Sequence, residues 1–219
     1  MLKIYGCYKS RATRVLWLTE ELELAYEHVP VLQAGKLDNP LAADAPINTQ
    51  SPAFLAINPF GAIPAIEDDG LVLFESLAIT LYLAKQYSDG NLGPKDLEED
   101  AQMMQWALFA ATEIEGNALK ISRIAADGRL DSEAGQGEAA AAARLLKRPL
   151  TVLEQYFANH EFTVSDRFTV ADINLAEIVR YAQPYAPLME AHPALKAWLE
   201  RCQSRPAFKA MWAARAAEA

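Results

Sequence analysis

The sequence predicts an α/β domain at the N-terminus, built on a small sheet of mixed strand directions, followed by an all-helical domain. Residues 1–87 alternate short β-type runs with runs of helical periodicity, whereas the residues after 94 show helical periodicity alone. Between them lies SDGNLGP (88–94), whose glycines and proline are typical of a linker. We therefore predict one domain over 1–87, a linker over 88–94 and a helical domain over 95–219.

Each element of the first domain has a local signal. LKIYG (2–6) and YEHVPVL (26–32) are rich in apolar, aromatic and β-branched residues, which predicts two strands, and the apolar side chains of 12–22 recur at helical spacing between them. In AIPAIEDDGLVLFES (62–76), an Asp-Gly pair separates two apolar runs, which predicts a hairpin. SLAITLYLAKQY (76–87) returns to helical spacing. This order predicts a mixed sheet faced by helices.

The second half has helical periodicity throughout. One helix start is well marked, because Thr169 can cap the helix while Asp172, three residues later, reaches back to the Thr169 amide as in a capping box. Phe168 and Ile173 occupy the positions of a hydrophobic staple around it. We take this motif to serve folding rather than binding. The predicted helices cover 95–126, 133–159, 170–183, 192–203 and 206–217.

Composition excludes several classes of function. The net charge of −9 argues against a nucleic-acid partner, which needs a positive surface. No apolar run approaches the roughly 20 residues of a membrane span, and the opening MLKIYG predicts a strand rather than a signal peptide. Cys7 and Cys202 lack metal-type spacing, and the three histidines have no ligand partners at suitable spacing. We expect a cytoplasmic protein with reduced thiols and no metal.

The stretch NPFGAIPAIEDDGLVLFES (58–76) resembles the glutathione-binding half of the glutathione transferase family. With the strand–helix start, the linker and DRFTVADI (166–173), the resemblance extends over nearly the whole chain, and the bacterial serine-type branch, theta- or phi-like, looks most similar. It implies a thioredoxin-like first domain and a helical second one. It also implies a homodimeric enzyme that conjugates the thiolate of glutathione, its co-substrate, to small hydrophobic electrophiles, with no tightly bound cofactor.

The resemblance assigns the peptide part of glutathione to residues 62–64 and 75–76. Pro64 is cis in the family motif, which turns the backbone of Ile63, with Ala62 before it, toward the extended ligand; from the residues alone a trans proline at a strand edge would be the simpler expectation. Ser76 suits the γ-glutamyl carboxylate, because it opens a helix, and Glu75 suits the ammonium group. Ser76 as a plain helix cap is the alternative.

Two further assignments concern the loops. The long segment 33–52 is expected to meet the glycyl carboxylate, with Lys36, Thr49 and Gln50 as candidates and the family position falling near Gln50. Phe60 matches an aromatic side chain that some family members insert into a partner subunit, so it is a candidate key for a homodimer. Alternatively, Phe60 packs within its own domain.

The stretch GCYKSRATRVLW (6–17) contains the candidates for activating the thiol. The serine classes place a hydroxyl donor at this strand-to-helix turn, which makes Ser10 the expected catalytic residue and Arg11 a possible source of positive field. Ser10 lies one residue closer to Val15 than in many relatives, so it is alternatively only a helix cap. Cys7 would support thiol transfer instead, but a small cysteine at a strand end usually just packs. Tyr8 is a less favoured candidate for the same role, since some classes of the family use a tyrosine.

The electrophile is expected to meet apolar side chains of the helical domain. Trp106, Phe109 and Tyr181 are the candidates for this pocket, although large apolar residues at helical spacing are more often core. The same glutathione site would also serve a peroxidase, isomerase or dehalogenase. A different class of function is a scaffold protein that has the transferase fold but no catalytic activity. Such a protein would not need the candidate glutathione-binding residues Ser10, Pro64, Glu75 and Ser76.

Overall fold

The computed structural model describes residues 1–218, which group into two compact units. The first unit contains Met1–Asp89 together with the segment that starts at Pro206, and the second contains Gly90–Arg205. The division after Asp89 lies within 88–94, the segment for which we predict a linker. The predicted helical domain over 95–219 differs in one element, because the helix after Pro206 groups with the first unit.

A four-stranded mixed sheet forms the centre of the first unit, in the order β2-β1-β3-β4. The strands are β1 (Lys3–Gly6), β2 (Glu27–Pro30), β3 (Ala65–Asp68) and β4 (Leu71–Phe74). β1 runs parallel to β2 and antiparallel to β3, and β3 pairs with β4 through the predicted hairpin. A parallel pair needs a crossover, which the helix between β1 and β2 supplies. The mixed sheet predicted from the sequence is confirmed.

Three helices of the first unit follow these strands in the chain: α1 (Ala12–Glu21), α2 (Pro52–Leu55) and α3 (Ser76–Tyr87). Residues of β1, β3, α1 and α3 form the apolar core, in which every side chain of the following set is fully buried: Ile4, Val15, Leu16, Ile66, Ile79 and Leu83. The periodic apolar positions of both helices face this core. It therefore fixes the ends of β1, β3 and β4, where the candidate site residues lie.

The second unit contains six helices among the described residues: α4 (Leu97–Phe109), α5 (Gly116–Ala126), α6 (Glu133–Phe157), α7 (Val170–Val179), α8 (Ala186–Glu190) and α9 (Pro193–Gln203). A π-helical segment, Ala110–Glu115, joins α4 to α5, so the predicted helix over 95–126 is continuous but changes its hydrogen bonding midway. An apolar pattern of period 3.6 does not report such a local change.

The start of α7 has the predicted capping box. The Thr169 amide donates to Asp172 Oδ2 at 2.9 Å, and the Thr169 hydroxyl accepts from the first turn of the helix. The other oxygen of the same buried carboxylate accepts from Thr163 and from the Trp198 indole at 3.0 Å. Asp172 thus joins α7, α9 and the loop before α7, which confirms its role in folding.

The last helix, α10 (Pro206–Ala217), packs on α1 within the first unit. The rings of Trp17 and Phe208 meet edge to face with centroids 4.9 Å apart. Helical periodicity predicts α10 correctly, but it does not identify the surface on which a helix packs. The end of this helix brings Arg215 and Glu218 to the turn between β1 and α1.

Candidate active site

The turn between β1 and α1 positions the predicted thiol activator. Ser10 is 9% exposed; its hydroxyl donates to the Cys7 carbonyl at 2.6 Å and accepts from the Ala12 amide at 3.0 Å. The second contact satisfies one of the free N–H groups at the start of α1, as a capping side chain does. Ser10 therefore lies at the positive end of α1. In this structure its hydrogen is directed at a backbone carbonyl.

The other reactive groups of this turn have different surroundings. Cys7 is a buried free thiol, and burial, followed by the negative charge of Glu218, raises its pKa above the ordinary value. A raised pKa keeps the thiol protonated and weakly nucleophilic at neutral pH. The Tyr8 ring meets the His28 ring edge to face with centroids 5.4 Å apart, and Arg11 is exposed. These surroundings favour Cys7 as a packing residue.

Arg215 at the end of α10 and Glu218, which follows the helix, hold the same turn. Glu218 accepts from the amides of Tyr8 and Lys9, each at 2.7 Å, with one carboxylate oxygen for each amide. The Lys9 ammonium donates to the Glu218 carbonyl, and the Arg215 guanidinium donates to the Tyr8 carbonyl. Successive backbone N–H groups aimed at one anion form a compact anion-binding turn. Sequence analysis missed these contacts, because their partners are far apart in the chain: Tyr8 and Glu218 are separated by 210 residues.

The predicted backbone-pairing segment precedes β3. The Ile63–Pro64 peptide bond is cis, as the resemblance implies. The carbonyl of Ala62 accepts from the Asn58 side chain at 2.7 Å, so the loop before the cis bond is fixed by a buried amide. Pro64 is buried, whereas Ala62 is exposed and Ile63 is half-buried. Exposure thus decreases along the segment from Ala62 to Pro64, where the chain enters β3.

Glu75 and Ser76 meet at the junction of β4 and α3. Glu75 is exposed and has φ of 71°, a left-handed conformation that costs a non-glycine residue energy and that concentrates at functional sites. Ser76 is the first residue of α3 and is 4% exposed. Glu75 makes no side-chain hydrogen bond to the first turn of α3. The junction therefore combines an exposed carboxylate with a hydroxyl at the positive end of a helix.

Arg14 is the residue of this region that sequence analysis missed. It lies on α1 and is only 1% exposed, and its Nη1 donates to Ser76 Oγ at 2.9 Å. Arginine is almost never fully buried unless it has partners. A sequence signal for its burial was available, because the next four residues, Val15 to Leu18, are all apolar. In the structure these four residues are all buried.

The long loop 33–52 is organised by Asn48. This buried side chain donates to the carbonyls of Pro40 and Pro46 and accepts from the Gln50 amide, all at 2.9 Å. The Thr49 hydroxyl accepts from a loop amide at 3.0 Å. Gln50 and Lys36 are both exposed. Of the three candidates for the glycyl carboxylate, Thr49 is therefore the one already engaged by the loop.

Phe60 is exposed at the loop before the cis bond. The side chain is 75% exposed, although its ring meets the Phe74 ring edge to face with centroids 5.3 Å apart. The amide of Phe60 donates to the Asn58 side chain at 3.1 Å, which holds the loop in place. Leu71 and Val72 of β4 are also exposed. Most of the Phe60 ring is therefore available to another surface.

The three electrophile candidates lie in the second unit. Trp106 and Phe109 are half-buried and meet edge to face with ring centroids 5.7 Å apart, and Trp106 also meets Tyr156 at 4.9 Å. Tyr181 is buried, with the Arg180 guanidinium 4.7 Å above its ring. Of the three candidates, Trp106 and Phe109 are therefore in contact with each other. Tyr181 is buried beside Arg180.

Two features of residues 1–218 bear on membranes and metals. None of the helices described is both long and apolar enough to cross a membrane. No cluster of three or more His, Cys, Asp or Glu side chains in this range could hold a metal ion.

Comparison with known proteins places both halves of the chain. The model of the glutathione S-transferase N-terminal domain matches residues 10–86, and that of the C-terminal domain matches residues 100–206. Glutathione S-transferase F13 from Arabidopsis thaliana is 32% identical, with 94% of this chain and 93% of that protein covered.

Solved structures agree. The crystal structure of glutathione transferase F7 from Populus trichocarpa has a TM-score of 0.81 and 30% identity, and the match covers 98% of this chain and 99% of that one. A structure of glutathione S-transferase-I bound with lactoylglutathione has a TM-score of 0.79 and 29% identity, with 97% and 99% covered. These matches confirm the predicted fold class.

The relatives correct one part of the resemblance. A bacterial serine-type branch was predicted, whereas the Arabidopsis and Populus relatives are plant proteins that both carry the designation F. The bacterial branch was inferred from a serine near the first helix and from QWALFAATEIE (105–115), which are two short stretches of the chain. The wider prediction is confirmed, and the chain belongs to the glutathione S-transferase family.

Proposed function

We propose that the protein conjugates the thiolate of glutathione to small hydrophobic electrophiles, and that within its family it is phi-like. The observation that carries the proposal is the junction of β4 and α3. A buried serine hydroxyl lies there at the positive end of a twelve-residue helix, next to the exposed carboxylate of Glu75. Ser76 would bind the γ-glutamyl carboxylate, because the positive end of α3 attracts an anion, and the Glu75 carboxylate would bind the ammonium group.

The remainder of glutathione would follow the backbone before β3. Ala62, Ile63 and Pro64 would pair with its extended backbone, as a sheet edge receives an added strand. Gln50 would donate to the glycyl carboxylate. The proposal for Gln50 is supported by its exposure, whereas the Thr49 hydroxyl already accepts a hydrogen bond inside the loop.

Ser10 would act on the sulfur of bound glutathione. A free thiol has a pKa of about 8.5, so a stabilisation of about 1.4 kcal/mol or more is needed to form the thiolate at neutral pH. The Ser10 hydroxyl would rotate its hydrogen from the Cys7 carbonyl to the sulfur, and the start of α1 would add its positive field. Arg11, exposed beside it, would strengthen that field.

The electrophile would be received by apolar side chains of the second unit, with Trp106, Phe109 and Tyr181 as candidates. Edge-to-face aromatic contacts such as that between Trp106 and Phe109 form rigid apolar surfaces that suit small hydrophobic molecules.

We propose that the protein is a homodimer in the cytoplasm, with Phe60 inserted into the partner. This role is supported by the exposure of Phe60 and of Leu71 and Val72 on the nearby strand. A reducing compartment suits the two buried thiols, Cys7 and Cys202, and supplies glutathione as co-substrate.

The test of the proposed function is binding followed by turnover. The protein should be retained on immobilised glutathione, be eluted by free glutathione, and form a thioether from glutathione and a chromogenic aryl halide. Retention without any thioether, peroxide reduction or isomerisation would favour a scaffold. Absence of both retention and thermal stabilisation by millimolar glutathione would refute the proposal.

A further inference from the structure

The buried contact between Arg14 and Ser76 joins α1 to the junction that precedes α3. Arg14 Nη1 lies 2.9 Å from Ser76 Oγ, and both side chains are almost fully inaccessible to solvent. Placing a guanidinium in a protein core costs several kcal/mol unless its environment compensates. The contact with Ser76 Oγ is one of the polar contacts that compensate this cost, and it leads to the start of α3.

The direction of the hydrogen bond determines what the serine can do. A guanidinium only donates hydrogen bonds, so Arg14 occupies a lone pair of Ser76 Oγ and leaves the hydroxyl hydrogen to point elsewhere. A hydroxyl that accepts from a cation is also a better donor, because hydrogen bonds in a chain polarise one another. Ser76 is therefore prepared to donate to an anion at the start of α3.

The charge of Arg14 acts at the same place. A buried cation is screened much less than an exposed one, so its field at Ser76 is strong and nearly independent of salt. It adds to the positive end of α3, whose first residue is Ser76. Hydroxyl, helix end and buried cation thus all favour negative charge at one point.

We propose that Arg14 is a positioning residue for the α-carboxylate of the γ-glutamyl group, acting through Ser76. The proposal rests on the proposed function, since it assumes that glutathione binds at this junction. Arg14 does not touch the ligand. It directs the Ser76 hydroxyl toward the carboxylate and adds a fixed positive field, so it contributes only to ligands that carry this carboxylate.

Two ligands separate this role from a structural one. Glutathione carries the α-carboxylate, whereas γ-aminobutyryl-cysteinylglycine lacks it and keeps the ammonium, the thiol and the glycyl end. Affinities measured by titration calorimetry for both ligands should show that the wild type prefers glutathione. Arg14→Gln should weaken glutathione binding about tenfold and leave the affinity for the analogue unchanged.

Three variants complete the test. Ser76→Ala should also weaken glutathione binding, and the loss in the double variant should be smaller than the sum of the two single losses, because part of the effect of Arg14 passes through Ser76. Arg14→Lys keeps the charge and should retain part of the preference, which also covers the case in which Arg14→Gln does not fold. Thr19→Val, which alters another buried polar side chain of α1, is the matched control and should keep the full preference.

Each failure has its own signature. A wild type that binds neither ligand refutes the proposed function itself, and one that binds both equally refutes the assignment of the carboxylate to Ser76. If the wild type prefers glutathione and Arg14→Gln weakens both ligands equally, Arg14 only supports the fold. The inference would also be overturned if Ser76→Ala lost the preference for glutathione over the analogue while Arg14→Gln, or Arg14→Lys, kept it in full.

Discussion

Ser10 has two hydrogen-bond partners that bear directly on its proposed role. Its hydroxyl donates to the Cys7 carbonyl and accepts from the Ala12 amide. A serine has one hydrogen to donate, so donation to a bound sulfur would replace the bond to Cys7, whereas acceptance from Ala12 can persist. The same residue can therefore cap α1 and activate a thiol. The sequence left these two roles as alternatives, but the geometry makes them compatible.

Removing the hydroxyl should affect both roles. In Ser10→Ala, the pKa of the bound glutathione thiol should rise by about one unit, because the thiolate loses a donor, and kcat/KM at neutral pH should fall about tenfold. The pH dependence of kcat/KM and the ultraviolet absorbance of the thiolate would report the shift. The free energy of unfolding should fall by about 1 kcal/mol through the lost cap.

Thr169→Ala is the control for the Ser10 experiment, since it removes a comparable cap from α7. It should cost similar stability, about 1 kcal/mol, and leave the thiol pKa unchanged. An unchanged thiol pKa in Ser10→Ala would assign the activation to a backbone amide of the turn or to another side chain.

At the level of elements, the segment after α10 restrains the turn that carries Ser10. Glu218 accepts hydrogen bonds from two successive amides, one with each carboxylate oxygen. A glutamine has only one acceptor oxygen, so its NH2 group would face the second amide and could not accept from it. In Glu218→Gln, the amides of Tyr8 and Lys9 should exchange their hydrogens about tenfold faster, as measured by NMR. Glu20→Gln, at an exposed position of α1, should leave both rates unchanged. Equal rates in Glu218→Gln and the wild type would show that the contact contributes no stability.

A second link between elements lies in the helical unit. The carboxylate of Glu99 on α4 accepts from Arg167 at 2.6 and 2.7 Å, from the Ser165 hydroxyl and from the Lys95 amide. Arg167 also donates to the Gly93 carbonyl at 2.9 Å. The hydrogen bonds from Arg167, with smaller contributions from the other donors, lower the pKa of Glu99 to about 2.

This depressed pKa predicts how stability depends on pH. A carboxyl group whose pKa is lower in the folded state stabilises the fold above its unfolded pKa, and that contribution is lost as the pH falls from about 4.5 toward 2. Glu99→Gln should lower the free energy of unfolding by about 2 kcal/mol at pH 7 and reduce its acid dependence. Glu98→Gln, which changes an exposed neighbour, is the control and should do neither. Parallel acid profiles for Glu99→Gln and the wild type would contradict the expectation.

For the whole molecule, local patterns predicted the fold because each element has a complete local signal. The hairpin follows from Asp-Gly between apolar runs, and the start of α7 follows from Thr169 and Asp172. Contacts between distant positions had no such signal. Arg14 with Ser76 and Glu218 with the first turn depend on how helices pack, which periodicity does not encode.

The exposed Phe60 bears on assembly. A homodimer that uses Phe60 twice, once from each subunit, should weaken strongly when the ring is removed, because a two-fold interface loses both copies. Phe60→Ala should raise the dimer dissociation constant by at least a hundredfold, while the monomer keeps its fold because the side chain is 75% exposed. Analytical ultracentrifugation and circular dichroism would measure the two effects.

Leu145→Ala, at an exposed position of α6, should leave the dimer intact. A wild type that sediments as a monomer, or a Phe60→Ala dimer of unchanged affinity, would assign the ring to another surface.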